Sequence, residues 1–180
     1  VGATQAGASI LMAEFPRSYI DVNRAEDDID PAILANPWPY SLAPSDRTLM
    51  GLGLVRRLCK SGVPVYREPL VVSEVEKRIH CFYRPYHAAL EKLIADRVAA
   101  FGTCYLVNAH SMPNQSGESG ASRRTDFVLG DRNGTSCDTS FTRRVRDMLQ
   151  ERGYNVALND PYKGVEIVRR YGQPQSGQHA

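Results

Sequence analysis

The sequence predicts an α/β fold with a mixed or mostly parallel sheet, and two observations carry this prediction. Strand-like and helical segments alternate in the order β-α-β, followed by a polar loop and then α-β. Polar residues also follow the predicted strands, at the sheet end where α/β proteins bind ligands. Because neither a repeat nor a second core pattern is visible, we predict one domain over residues 1–180.

The first third of the chain is predicted to contain two strands and a helix. Residues 9–15 (SILMAEF) are apolar enough for a buried strand, and residues 19–23 (YIDVN) alternate as a second strand would. Residues 16–18 provide the turn between them. Residues 49–59 are predicted to be helical.

The strongest helical pattern lies in the middle of the chain. Ser73 and Glu76 form a capping box at its start. Apolar residues then recur at helical spacing as far as Val98, and Gly102 ends the pattern. Pro85 falls inside it, so we expect a kink or a break there.

The last part of the chain is predicted to contain two strands around a helix. Residues 103–109 are apolar on both faces, as in a central parallel strand. Residues 114–137 form a polar loop. Asp138 caps a helix that Gly153 ends, and residues 154–158 form the final strand.

Composition excludes several classes of protein. The 180 residues are 42% hydrophobic and 23% charged, with a net charge of +2, which is typical of a globular protein with a substantial core. Such a balance gives no field to hold nucleic acid. Arg143, Arg144 and Arg146 share their helix with Asp147 and Glu151, which indicates a solvated surface. No run of about 18 apolar residues exists, so no membrane span is expected.

The four cysteines indicate neither a structural zinc site nor a disulfide framework. Cys59, Cys81, Cys104 and Cys137 show no CxxC spacing. A chain of this length with its own core does not need disulfides. We therefore expect reduced thiols in a cytoplasmic protein.

Three polar clusters fall at the predicted strand ends. His110 follows one strand, Asn23 and Arg24 end another, and Lys163 follows a third. His110 is either a metal ligand or a hydrogen-bonded histidine at the end of the sheet. A guanidinium such as that of Arg24 grips a carboxylate through two parallel hydrogen bonds. The alternative for Arg24 is a surface ion pair with a nearby aspartate.

The polar loop over residues 114–137 has the composition of a segment that covers substrate. Arg123, Arg124 and Asp131 are its candidates for substrate contact, and a disordered loop is the alternative. His80 and His87 lie on the flank of the long helix, where histidines are more often structural.

Four motifs together resemble the N-formylglutamate amidohydrolases, zinc enzymes related to the carboxypeptidase and aspartoacylase group. The resemblance covers nearly the whole chain, and the order of the motifs makes chance similarity improbable. They are residues 19–24 (YIDVNR), 108–112 (NAHSM), 129–138 (LGDRNGTSCD) and 159–172 (NDPYKGVEIVRRYG), with residues 84–87 (RPYH) also similar.

The resemblance implies a fold and a reaction. The fold would be a three-layer α/β/α arrangement of the phosphorylase/hydrolase type with a mixed, mostly parallel sheet. The reaction would be zinc-dependent cleavage of N-formyl-L-glutamate, a small N-acyl amino acid, to formate and L-glutamate in histidine degradation. No oligomeric state is indicated.

The resemblance also implies roles for individual residues. His110 would be a zinc ligand, with Ser111 beside it in contact with substrate. Asn23 and Arg24 would bind a substrate carboxylate. Arg17 resembles the arginine that polarises the scissile carbonyl, although a solvated turn arginine is the alternative.

The sequence departs from the family pattern in two respects: one glycine is replaced, and two functional residues of the family are not present. Lys163 would bind the second carboxylate, but Val165 stands where the family usually has a glycine. The family's further metal histidine and its acid-base glutamate would lie before Val1 and after Ala180. We therefore expect the sequence to be an incomplete copy of the enzyme, truncated at both ends and inactive alone.

Two alternatives remain open from the sequence. One is a zinc amidase for another N-acyl amino acid or a short peptide. The other is a metal-free module that binds an acidic amino acid through Arg24 and Lys163.

Overall fold

The computed structural model describes residues 2–59, 62–112 and 125–180. The chain divides into two compact units, Val1–Leu93 and Ile94–Ala180, which are taken here in turn. Helices and short parallel strands are both present, which confirms the mixed α/β class. The three-layer arrangement stays a prediction.

The first unit is built from short helices and turns around an apolar core. Its core consists of Ile20, Ile29, Ile33, Leu54, Val55, Val75, Ile79 and Tyr83. Its helices are α1 (Gly2–Gln5), α2 (Asp46–Leu49), α3 (Val72–Arg78) and the first part of α4 (Arg84–Phe101), with a 3-10 turn at Pro31–Ile33. These elements surround a largely buried loop over residues 20–24.

The two strands predicted for residues 9–15 and 19–23 do not form, so these predictions were wrong. Residues 19–23 fold instead into consecutive turns. The Tyr19 N–H donates to Pro16 O at 2.9 Å, and the Asn23 N–H donates to the Asp21 carboxylate at 3.0 Å. The apolar pattern there reports burial in the core rather than strand pairing.

The helix predicted for residues 49–59 was also wrong, because two glycines turn the chain after α2. Gly51 has a positive φ of 83°, a conformation that other residues rarely adopt. A Cβ on Gly53 would lie 2.6 Å from Thr48 Cγ2 and 2.9 Å from Asp28 O. The segment therefore packs too closely against its neighbours for any side chain at that position.

The long helix is interrupted as the proline predicts. A π-helical turn, Ile79–Tyr83, separates α3 from α4, because Pro85 has no N–H to continue the regular ladder. The capping box was wrong: Val71 is the N-cap and makes no side-chain hydrogen bond, which places Ser73 inside the helix. Gly102 follows the last helical residue with a φ of 73°, as expected for a helix end.

The second unit contains two pairs of parallel strands and two helices. Strand β1 (Cys104–Tyr105) pairs with β4 (Gln178–His179). Strand β2 (Phe127–Leu129) pairs with β3 (Val156–Leu158), with Phe127 opposite Val156 and Leu129 opposite Leu158. The elements are β1 (Cys104–Tyr105), β2 (Phe127–Leu129), α5 (Thr139–Gln150), β3 (Val156–Leu158), α6 (Glu166–Tyr171), a 3-10 turn (Pro174–Ser176) and β4 (Gln178–His179).

Predictions for this unit hold in position but not in length. Short strands lie within both predicted ranges, at Cys104–Tyr105 and Val156–Leu158. The buried central position expected for residues 103–109 was wrong, because among the described residues β1 pairs only with β4, and Tyr105 and Val107 are exposed. Asp138 caps α5 as predicted, with its carboxylate accepting the Ser140 N–H at 2.7 Å. Strand β2 lies inside the predicted loop 114–137, of which residues 114–124 fall outside the described residues.

Two further expectations concern the whole described chain. All four cysteines are free, as predicted. Burial raises the pKa of the Cys104 and Cys137 thiols, which keeps them protonated and unreactive at neutral pH. Among the described residues, none of the helices has the length and apolar character that crossing a membrane requires.

Candidate active site

Arg24 is the most unusual charged residue of the first unit. Its side chain is buried, with only 6% of the residue exposed, and its Nε atom has no hydrogen-bond partner among the described residues. A buried cation with an unsatisfied N–H is costly unless an anion completes its hydrogen bonds. Arg24 is therefore not the surface ion pair considered from the sequence, and its surroundings fit a carboxylate ligand.

Arg24 has charged neighbours of both signs, and its Nε has no hydrogen-bond partner among the described residues. Burial lowers the pKa of the Arg24 guanidinium, while the negative charges of Asp21 and Asp28 raise it. The positive charges of Arg47 and Arg17 lower it again, and its net pKa lies below the usual value. A guanidinium nevertheless stays protonated in proteins, so the loop presents a partly desolvated cation.

Asp21 connects Arg17 to the turn that carries Arg24. The Asp21 side chain is 1% exposed, and its Oδ2 accepts hydrogen bonds from Arg17 Nε at 3.1 Å and Nη2 at 2.6 Å. Its Oδ1 accepts the Asn23 N–H, and its carbonyl oxygen accepts the Arg24 N–H at 3.1 Å. Arg17 lies on a turn with its side chain about half exposed, and it is held by an ion pair rather than left solvated.

Residues of the π-helical turn and of α4 form hydrogen bonds with the backbone of the same loop. The Tyr83 hydroxyl donates to Arg24 O at 2.8 Å. His87 is 2% exposed, and its Nε2 donates to Val22 O at 3.0 Å while its ring contacts Tyr83. His87 is thus structural, as the sequence favours, and it fixes the backbone that presents Arg24.

His110 and Ser111 lie in the second unit, beyond β1. Both residues are exposed. Arg24 belongs to the first unit, and the roles in one reaction that the resemblance implies for His110 and Arg24 stay predictions. The described residues contain no group of three or more His, Cys, Asp or Glu side chains placed to hold a metal ion.

Lys163 is exposed, and its backbone is hydrogen-bonded to the segment that follows β2. The Arg132 N–H donates to Lys163 O at 2.8 Å. Val165, which replaces a glycine of the family pattern, has a φ of −114°, so the backbone there does not adopt the positive φ that favours glycine.

Asp131 is buried in a hydrogen-bond network that joins the ends of β2 and β3. Its carboxylate accepts hydrogen bonds from the Gly134 N–H at 2.9 Å and from Asn159 Nδ2 at 2.7 Å. Asn159 Oδ1 in turn accepts the N–H groups of Asp131 and Asn133. These bonds explain Asp131 as a structural residue, and contact with substrate stays a prediction. Arg123 and Arg124, the other two loop candidates, lie outside the described residues.

We expect Asp131 to make the stability of the protein pH-dependent. Burial raises the pKa of its carboxyl, but hydrogen bonds from Asn159, Gly134 and Thr142 more than offset this, so the pKa lies below the usual value. The contribution is therefore present above the unfolded pKa and is lost as the pH falls through the lower folded pKa.

Replacing Asp131 with alanine should lower the free energy of unfolding by about 1–3 kcal/mol at pH 7, because its donors lose their acceptor. The difference from the wild type should shrink below about pH 4. Urea unfolding at several pH values measures both effects. A difference that stays constant down to pH 2 would contradict the assignment.

Sequence reasoning missed several residues that the first unit brings together. Asp21 was visible only as part of the DVNR motif. Arg56 Nη2 lies 3.8 Å from Asp21 Oδ2, and the Arg56 Nε is buried with no hydrogen-bond partner among the described residues. Nothing in the sequence distinguishes Arg56 from Arg57, which pairs with Asp30 instead.

The chain is similar to proteins of known activity. Two curated relatives, both called N-formylglutamate deformylase, come from Pseudomonas aeruginosa and Pseudomonas putida. Each is 33% identical over 181 residues, covering 99% of this chain and 62% of the relative. This chain therefore spans about 62% of the length of the curated relatives that it matches.

A solved structure is similar as well. The crystal structure of N-formylglutamate amidohydrolase from Ralstonia eutropha JMP134 matches with a TM-score of 0.85 and 46% identity, over 92% of this chain and 60% of that one. The family model described as N-formylglutamate amidohydrolase matches residues 1–180. The chain therefore belongs to the N-formylglutamate amidohydrolase family.

Proposed function

We propose that the protein hydrolyses N-formyl-L-glutamate to formate and L-glutamate, and that Arg24 binds a substrate carboxylate. The single observation that carries this proposal is the buried Arg24 guanidinium with its unpaired Nε. A carboxylate supplies both the charge and the acceptor oxygens that this group lacks. The reaction is supported by the two relatives, both of which are called N-formylglutamate deformylase.

The other candidate residues would bind the substrate or stabilise the charge that forms during the reaction. Asn23, fixed by the Asp21 turn, would help to bind the same carboxylate, and Lys163 would bind the second one. Arg17 would face the carbonyl oxygen of the formyl group, where its charge stabilises the oxyanion that forms as water adds. Breaking the C–N bond then releases formate, and the amine takes a proton.

Zinc dependence is part of the proposal and rests on the family resemblance. His110 is the metal ligand that the NAHSM motif offers, and Ser111 would contact substrate beside it. The described residues do not by themselves provide a complete zinc site. Further ligands and a catalytic base would be needed to complete it.

Formate release with three substrates tests the reaction. The whole protein, supplied with zinc, should release formate from N-formyl-L-glutamate. It should act far more slowly on the N-acetyl and N-succinyl analogues. Faster cleavage of either analogue would favour an amidase for another N-acyl amino acid, and binding of L-glutamate without hydrolysis or zinc would favour the binding module.

The role of His110 is tested by metal content. The His110→Ala variant should hold less zinc than the wild type and release formate more than about 100-fold more slowly, because a metal ligand is lost. His80→Ala is the matched control, since His80 is also exposed but lies on the π-helical turn. Full zinc content and a full rate in His110→Ala would show that the ligand assignment is wrong.

A further inference from the structure

We propose that Asp21 is a positioning residue that holds Arg17 and the Asn23–Arg24 turn in one fixed arrangement. This inference rests on the proposed function, because it assigns Arg17 to the reacting carbonyl and Arg24 to the substrate carboxylate. Asp21 itself is 1% exposed and does not need to touch substrate to act. Its two carboxylate oxygens have different partners, so the two roles can be separated by mutation.

Oxygen Oδ2 of Asp21 fixes the position of the Arg17 side chain. It accepts both Nε and Nη2 of Arg17, at 3.1 and 2.6 Å. Arg17 is otherwise a half-exposed side chain with several rotatable bonds, so this contact removes most of its rotational freedom. An oxyanion donor contributes most when it is held in place before the reaction begins.

Oxygen Oδ1 of Asp21 controls the turn. It accepts the Asn23 N–H at 3.0 Å, two residues further along the chain, and so closes an Asx-turn. The Asp21 N–H donates to Leu54 O at 2.7 Å, which ties the same residue to the core. The turn places Asn23 and Arg24 directly after the buried carboxylate.

The buried charge of Asp21 is compensated on one side by cations. Arg17 pairs with it directly, and Arg56 Nη2 approaches Oδ2 at 3.8 Å. A carboxylate placed between two guanidinium groups is a charged acceptor that binds Arg17 more strongly than a neutral oxygen would. Arg56 keeps the carboxylate compensated if Arg17 is removed by mutation.

The Asp21→Asn variant separates the two oxygens. Asparagine keeps an oxygen acceptor for the Asn23 N–H. Its NH₂ group takes the place of Oδ2, and because this group is only a donor, it cannot accept the hydrogen bonds of Arg17. We expect kcat for N-formyl-L-glutamate to fall by about 10- to 100-fold, because an oxyanion donor loses its fixed position. KM should change less than about threefold because the Arg24 turn is kept. In Asp21→Ala both oxygens are lost, so kcat should fall and KM should rise.

A double-mutant cycle distinguishes positioning from a general structural role. If Asp21 acts through Arg17, adding Asp21→Asn to Arg17→Ala should cause no further loss of kcat. Multiplying losses in the double variant would overturn the proposal. The matched control is Asp30→Asn, because Asp30 accepts the Ala32 N–H at 2.9 Å and Arg57 Nε at 2.6 Å in the same pattern. This control should leave kcat and KM unchanged.

A measurement on the unmutated protein keeps the test independent of folding and of activity. Arg17 Nε–H should give a rigid, slowly exchanging NMR signal, whereas the exposed Arg67 should exchange rapidly. An Arg17 signal as mobile as that of Arg67 would overturn the positioning role. If the wild type releases no formate but the Arg17 signal is rigid, the proposed function fails while the contact stands.

Discussion

Replacing Arg24 with lysine is expected to lower kcat/KM for N-formyl-L-glutamate by about 100-fold or more. Lysine keeps the positive charge but lacks the planar fork that binds both oxygens of a carboxylate. Losing one partner of a buried charged hydrogen bond costs about 2–5 kcal/mol, which gives a loss of this size. Steady-state formate release measures it.

A surface arginine supplies the control for this prediction. Arg84 pairs with Glu26 in the same unit, but its side chain is 60% exposed. Arg84→Ala should leave kcat/KM unchanged. Added guanidinium ion should restore part of the rate to Arg24→Ala and none to a variant with an intact site. If Arg24→Lys keeps the wild-type kcat/KM, Arg24 is not the carboxylate site.

Replacing Arg78 with alanine is expected to cause a large loss of stability in the first unit. Arg78 is buried, and its Nη1 donates to Tyr19 O at 3.1 Å and to the Tyr66 hydroxyl at 2.7 Å. Its Nε donates to Glu74 at 2.8 Å, and its guanidinium lies 4.1 Å from the centre of the Tyr19 ring. One side chain thus joins α3 to the segment that precedes Asp21.

The pKa of Arg78 agrees with this view. Burial lowers the pKa of the guanidinium, but hydrogen bonds with Glu74 and Tyr66 more than offset the burial, so the pKa lies above the usual value. We expect Arg78→Ala to lower the free energy of unfolding by roughly 2–4 kcal/mol, through lost packing and unpaired acceptors. Urea unfolding of the whole protein measures this loss.

The same surface control applies to stability. Arg84→Ala should cost less than about 1 kcal/mol, because an exposed ion pair contributes little. Equal losses in Arg78→Ala and Arg84→Ala would contradict the account of Arg78 as a buried link. A loss confined to Arg78→Ala, with kcat retained at low temperature, is the expected result.

Features with a local cause could be predicted from the sequence. Pro85 interrupts the long helix and Asp138 caps α5, because a missing N–H and a short carboxylate act on residues nearby. The helix end at Gly102 has an equally local cause, the ease with which glycine adopts a positive φ.

The strand errors have a non-local cause. Residues 19–23 alternate as a strand does, but a strand needs a partner for its N–H and C=O groups, and the sequence does not show which partner is available. Here the Asp21 side chain takes the Asn23 N–H and closes a turn. The helix predicted over residues 49–59 fails for a reason that was visible, since Gly51 and Gly53 both disfavour it.

The candidate site was predicted only in part. The YIDVNR motif identifies Arg24 and Asn23, and the structure adds that Arg24 is buried with an unpaired Nε. Arg56 could not be predicted, because its approach to Asp21 depends on how two distant turns pack. The contact of Asp131 with substrate stays a prediction, and the structure adds hydrogen bonds from the nearby Gly134 and from Asn159. The Asn159 contact could not be predicted, because that residue is far away in the sequence.

The question that remains central is whether an anion completes the hydrogen bonds of the guanidinium at position 24. A crystal structure of the whole protein with L-glutamate answers it most directly. We predict a carboxylate oxygen of L-glutamate within about 3.2 Å of Arg24 Nε. L-Glutamate bound elsewhere, with that N–H still lacking an acceptor, would contradict the account.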